Sequence, residues 1–201
     1  MKQILVVSIV AFVMLFAVEA KAGVITSVVN NNSNDSNDVY AIGTLAEDVT
    51  SFIDRSHQYN DIPTSLLGID FVQVANDDKT SSNLSIDVVV NTDSWLYLFI
   101  DNRISGALGG GGTMSWVTDN GFIDSLLDIG IDESGDGDID QTSSIYHKMV
   151  SAGTTTTLAQ NDGGSRNMYG IAAASAVPEP SVAALFALGL LGLGFARRRK
   201  A

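Results

Sequence analysis

Residues 84–100 read LSIDVVVNTDSWLYLFI. Leu84, Ile86, Val88 and Val90 alternate with Ser85, Asp87 and Val89, the period-2 pattern of a half-buried strand. In the second run Trp95, Tyr97 and Phe99 share one face and Leu96, Leu98 and Ile100 the other, so that strand is expected to be covered on both sides. Between them, Asn91-Thr92-Asp93-Ser94 reads as a hairpin turn. The same grammar recurs along the chain. Strands are expected over 68–75 (GIDFVQVA), 145–150, 154–158 and 168–174, separated by Asn76-Asp77-Asp78-Lys79 and Asn161-Asp162-Gly163-Gly164. Helix signals are sparse: 46–52 and 122–129 could each form a turn or two. Gly109 to Gly112 is a flexible loop with no helix after it to make a phosphate cradle. Many short strands with polar turns predict an all-β, jelly-roll-like antiparallel sandwich.

The two ends follow other rules. Met1 and Lys2 form a short positive region, 4–18 is apolar apart from Ser8, and Ala20 and Ala22 occupy the two positions that a signal peptidase reads. This is the layout of a secretory signal peptide over 1–22, with cleavage before Gly23. At the other end, 182–196 is apolar and followed at once by Arg197, Arg198, Arg199 and Lys200. A basic block of this kind stays cytoplasmic, so the segment is expected to form a helix that stops in the membrane. In front of it stand Val177, Pro178, Glu179 and Pro180. Two prolines flanking one residue keep that junction extended, because each lacks an N–H and each restricts its predecessor. The expected organisation is a signal peptide (1–22), a polar N-terminal segment (23–38, with NNNSNDSND at 30–38), a sandwich (39–176) and a tail (177–201).

In all three parts and in their order, the tail resembles the PEP-CTERM sorting signal. The resemblance implies recognition through Pro178, Glu179 and Pro180 by exosortase, a membrane protease-transpeptidase. It also implies a transient inner-membrane intermediate, and delivery to the surface or extracellular polysaccharide matrix of a Gram-negative bacterium. The middle of the chain is similar, more diffusely, to galactose-binding-like sandwich modules of secreted bacterial proteins. Asp54-Arg55, 62–79, LYLFIDNR (96–103), Trp116, AGTTTTL (152–158) and NMYGI (167–171) carry that similarity. The family's proline shortly before the Trp is replaced here by GGGGTMSW.

Charge narrows the partners. Six of the 11 Lys+Arg and two of the 23 Asp+Glu lie in the ends, leaving five cations against 21 anions, about −16, between them. Such a surface repels nucleic acid and anionic membrane, and it attracts cations. Cysteine is absent, which removes thiolate chemistry. Asp132 to Asp140, DESGDGDID, has the spacing of a calcium loop: Asp132, Ser134, Asp136, the Asp138 carbonyl and Asp140 as oxygen ligands, with Gly137 at the sharp turn. Ser143 stands where a bidentate carboxylate belongs, so calcium is expected to bind weakly, and a solvated acidic turn is the alternative. His57 and His147 have no visible nucleophile, and no G-x-S-x-G or HExxH occurs. Trp95, Tyr97, Trp116 and Tyr169 could stack on sugars or fill the core. A non-enzymatic secreted sandwich protein is the first expectation, a carbohydrate-binding module the second and a hydrolase the third.

Overall fold

In the computed structural model the described residues are 23–32, 39–104 and 106–176. The alternating run becomes β6 (Ile86–Val90) and the two-faced run β7 (Ser94–Asp101). They do not pair with each other. β6 is the centre of a three-stranded sheet, with β1 (Ile25–Asn30) on one side and β10 (Thr155–Leu158) on the other. β7 lies inside a second sheet of order β2-β5-β11-β7-β9-β8-β4-β3. Asn91–Asp93 is therefore a crossing between layers and not the hairpin turn that its composition predicts. Turn residues report that the chain reverses; they do not report which sheet receives it.

The second sheet comprises β2 (Ala41–Thr44), β3 (Val49–Thr50), β4 (Gln58–Asn60), β5 (Asp70–Gln73), β8 (Ile123–Asp132), β9 (Gln141–Val150) and β11 (Gly170–Ser175), all antiparallel to their neighbours. The all-β antiparallel sandwich expected from the sequence is thus the observed fold. The signal and tail segments lie outside the described residues. Among those described, no helix is long and apolar enough to cross a membrane.

Leu96, Leu98, Ile100, Val72 and Ile171 pack against Ile86, Val88, Val90 and Leu158 to form the main core between the layers. The other face of the large sheet carries a second core, where Leu45, Ile62, Leu66 and Ile69 cover Phe71, Phe99, Ile145 and Ala172. β7 is accordingly buried on both faces along its second half and half-open at Trp95 and Tyr97. Tyr59 sits in this second core, edge-on to Phe71 and Phe99. A Cβ on Gly170 would come within 2.2 Å of Tyr59 Oη, so only glycine lets β11 pass there.

Three expectations change. Residues 23–38 are not a separate polar segment, since Ile25–Asn30 form β1 and complete the smaller sheet. The Asn-rich run at 30–38 masks the apolar residues that precede it. Residues 122–129 are not a helical turn, because Ile123 onward is strand β8. Cross-strand partners on β9 outweigh a weak helical pattern. The α-helix among the described residues, α1 (Trp116–Asp119), follows the Gly-rich loop instead.

Candidate functional site

Every long connection that begins or ends at Asn30, Tyr40, His57, Asn76, Asp101, Asp132 or Asn167 lies at one end of the sandwich. The pairings impose this: Asp101 faces Ser143 at the start of β9, Gln58 faces Asp132, and Gly170 faces Phe99. The chain's polar side chains converge here. Asp101, 2% exposed, accepts from Arg103 N (2.9 Å), Arg103 Nε (2.8 Å) and Asn167 N (2.9 Å). Glu133 accepts from Asn167 Nδ2 (2.8 Å) and pairs with Arg103 at 3.3 Å. Asp54 caps the N–H groups of Asn76 and Asp77, and Arg55 bridges Asp54 and Asp77. Asn76 Oδ1 takes the Met168 N–H at 2.8 Å. Asp78 accepts from Tyr40 Oη (2.6 Å) and Asn30 Nδ2 (2.7 Å).

Burial pushes the Asp101 carboxyl up, but the Arg103 and Asn167 hydrogen bonds and the Arg103 charge outweigh it and hold its pKa below the ordinary carboxylate range. This is a locked anion, not a proton donor. His57 packs edge-on against Phe52 at 5.8 Å, and its Nδ1 is buried without a hydrogen-bond partner. Burial lowers its pKa, and Arg55 and Lys79 add to that against Glu133 and Asp54. Its role is that of a packing histidine. In the sequence, Asp101, Arg103 and Asn167 stand only within the resemblance, in LYLFIDNR (96–103) and NMYGI (167–171), and Glu133 within the acidic loop, with no shared site. A charged D-x-R immediately after an apolar strand is the local signal for Asp101 and Arg103.

The acidic loop joins β8 to β9. Asp132 is buried, and its carboxylate accepts from Ser134 N (2.9 Å), Gly135 N (2.6 Å) and Gly137 N (2.8 Å). These bonds, the Gly137 amide foremost, lower its pKa. Gly137 has φ 91°, the sharp turn that its place in the loop demands. Asp140 takes the Glu133 and Ser134 amides, and Asp136 takes the Asp138 amide. The loop thus folds around its own N–H groups. Among the described residues, no three His, Asp or Glu side chains are grouped as a metal ion would require.

The aromatics divide. Tyr169 is fully buried and donates to Ala159 O (2.8 Å); Trp116 packs on it and donates Nε1–H to Gln160 O (2.9 Å). Trp95 and Tyr97 line the open part of the large sheet's outer face, with His147 between them. At the end opposite the polar cluster, Asn91 Nδ2 donates to Gly23 O and Ala176 N donates to Asp93 O. Both ends of the sandwich therefore emerge together. Ala20, Ala22, Val177, Pro178, Glu179, Pro180, Arg197, Arg198 and Arg199 lie outside the described residues.

Residues 176–200 match the PEP-CTERM protein-sorting motif. That motif marks an exported chain processed by exosortase at the envelope of Gram-negative bacteria. Among solved structures, a β-glucuronidase from glycoside hydrolase family 2 is similar, with a TM-score of 0.55 at 14% identity over 73% of this chain. So is a GH138 enzyme targeting pectin rhamnogalacturonan II, with a TM-score of 0.50 at 12% identity over 77% of this chain. The chain spans only 14% and 17% of those proteins, and at such identity the likeness is one of fold. It fits the antiparallel β-sandwich expected from the sequence. No curated protein matches the chain.

Proposed function

We propose that the mature domain is a non-enzymatic sandwich, released by tail processing to act at the cell surface or in the exopolysaccharide matrix. The observation that carries this is where the fold stops. β11 ends at Ser175, Ala176 is pinned to Asp93 O at 2.8 Å, and the sorting motif begins at 176. Removing everything after it costs the sandwich no strand. The polar end supports the non-enzymatic reading. A glycoside hydrolase needs one carboxyl kept protonated beside a second one, whereas Asp101 and Glu133 are each held by Arg103 and Asn167.

Exosortase then reads Pro178, Glu179 and Pro180. A Glu179→Ala chain should insert and accumulate uncut in the inner membrane. Its release with the wild-type mature mass would overturn this reading. A second reading, a carbohydrate-binding module, draws on the fold shared with single domains of glycan-acting enzymes. Retention of the released domain on immobilised host polysaccharide would favour it, and passage without retardation would favour the first.

A further inference from the structure

Strand β8 is built in an unexpected way over its first half. Asp124 faces Tyr146 and Asp128 faces Ser144, so three residues of β8 oppose one of β9. The two extra residues form a bulge, and its middle residue, Leu126, has φ 61°. A left-handed leucine costs roughly 1–2 kcal/mol, and a bulge made only to turn the chain would use Gly, Asn or Asp. The bulge is nevertheless finished: Asp124 Oδ1 accepts the Leu126 N–H (2.8 Å) and Ser125 Oγ accepts the Leu127 N–H (3.2 Å). Polar groups satisfy the backbone, and the leucines are turned out. Leu126 is 88% exposed, with Ile123 at 65% and Met149 at 49%. Ile123 faces His147, and Met149 faces Trp95 across β9 and β7. β4 pairs with β8 only at 130–132, so among the described residues this half is a free edge. A contiguous exposed apolar edge of this kind marks a contact surface, although charge is the usual way to protect an edge.

What meets it follows from where the chain leaves the fold. Ala174 faces Trp95 and Ser175 faces Ser94, so the chain departs one strand from the Trp95–Met149 pair. From β11 to β8 is three strand spacings, roughly 14 Å. Residues 177–181 reach at most roughly 18 Å before the apolar stretch begins at 182. The edge therefore lies within reach of the bilayer that holds that stretch. Its residue types fit a lipid interface: Trp and Tyr belong at headgroup depth, and Leu, Ile and Met insert a short way below it. Asp124 and Asp128 are exposed on the same half of β8 and hydrogen-bonded by the Leu126 amide and by Ser144 Oγ (2.9 Å); as carboxylates they would stay in the headgroup layer beside inserted apolar side chains. We propose that Ile123, Leu126, Leu127, Met149 and Trp95 rest in the bilayer interface while the tail is inserted, holding the sandwich against the membrane until it is cut. This rests on the sorting reading above.

The chain has no cysteine, so Leu126→Cys provides a single nitroxide site at an exposed position where folding is not at stake. Ser165→Cys, at the polar end, is the reference. The uncut full chain is placed in phosphatidylethanolamine–phosphatidylglycerol vesicles, and label collisions with oxygen and with a water-soluble nickel chelate are compared. The oxygen-to-nickel ratio should be several-fold higher at 126 than at 165. Adding Leu127→Asp should bring the ratio at 126 down toward the reference. A label at 126 as open to nickel as at 165 would overturn the proposal, as would one shielded from both reagents, which signals a protein contact. Tail insertion is scored separately by vesicle flotation. A chain that does not float breaks the sorting reading, whereas one that floats with position 126 in water breaks only the membrane contact.

Discussion

The two halves of β8 were made from similar materials and put to opposite uses. Residues 129–132 are buried, Gly130 and Ile131 are paired on both sides, and the run ends in a carboxylate that three backbone amides hold in place. Residues 123–128 are paired on one side, interrupted by a bulge, and expose two leucines and an isoleucine. In the first half polar chemistry is consumed inward, by the fold itself. In the second the backbone is satisfied locally and the apolar groups are left over. The charges of the polar end are therefore engaged within the fold. Over residues 123–128 of β8 the apolar groups Ile123, Leu126 and Leu127 are the ones left exposed.

The sharpest way to break that contrast is at Asp101. If the polar end is structural, Asp101→Ala should cost about 3 kcal/mol, since it leaves the buried Asn167 backbone amide without its acceptor and the Arg103 guanidinium with Glu133 alone. Urea denaturation measures it, and a loss below about 1 kcal/mol would mean that the cluster is held for another purpose. Gly170→Ala tests the second core beneath the same end. The new methyl meets Tyr59 Oη and Phe99 Cδ2 (2.2 and 2.7 Å), and overpacking of this kind costs about 2 kcal/mol.

Leu126→Gly runs the other way. A residue that displays a side chain and pays for it in backbone conformation should be stabilised by about 0.5–1 kcal/mol when replaced by glycine. A destabilised variant would show that Leu126 packs on the fold. His57 gives a pH signature. Its pKa is depressed by burial, so the unfolded chain takes up the proton first as pH falls. Its contribution is whole above the ordinary value near 6.5 and is lost as pH drops through and below it. The melting temperature should fall from pH about 7.5 to about 5.5, and His57→Gln should flatten that slope. The smallest effect concerns the acidic loop, where calcium binding is a proposal. At a concentration equal to its dissociation constant calcium would add only about 0.4 kcal/mol, visible as a small rise in melting temperature that Asp136→Ala abolishes. A wild-type melting curve unmoved by calcium would leave the loop as a self-capped turn, like the rest of the polar end.

The amino-acid sequence by itself determined the class of fold, the strands β6 and β7, and the sorting tail. These are local properties: period-2 alternation, a two-faced apolar run, and a motif whose parts are adjacent in the chain. It also marked the Asp132–Asp140 loop, because the Gly137 turn is a local requirement. Only the tertiary structure decided that β6 and β7 belong to different sheets, that Ile25–Asn30 complete the smaller one, and that Asp101 and Glu133 share the Arg103 guanidinium while Asn167 donates to both. Each of these is a pairing between residues far apart in the chain, and the energy that selects it comes from partners that no window of sequence contains. The display of Leu126 is of the same kind. Its neighbours in sequence read as a half-helical apolar patch, and only the register against Tyr146 and Ser144 turns them into a bulge that faces outward.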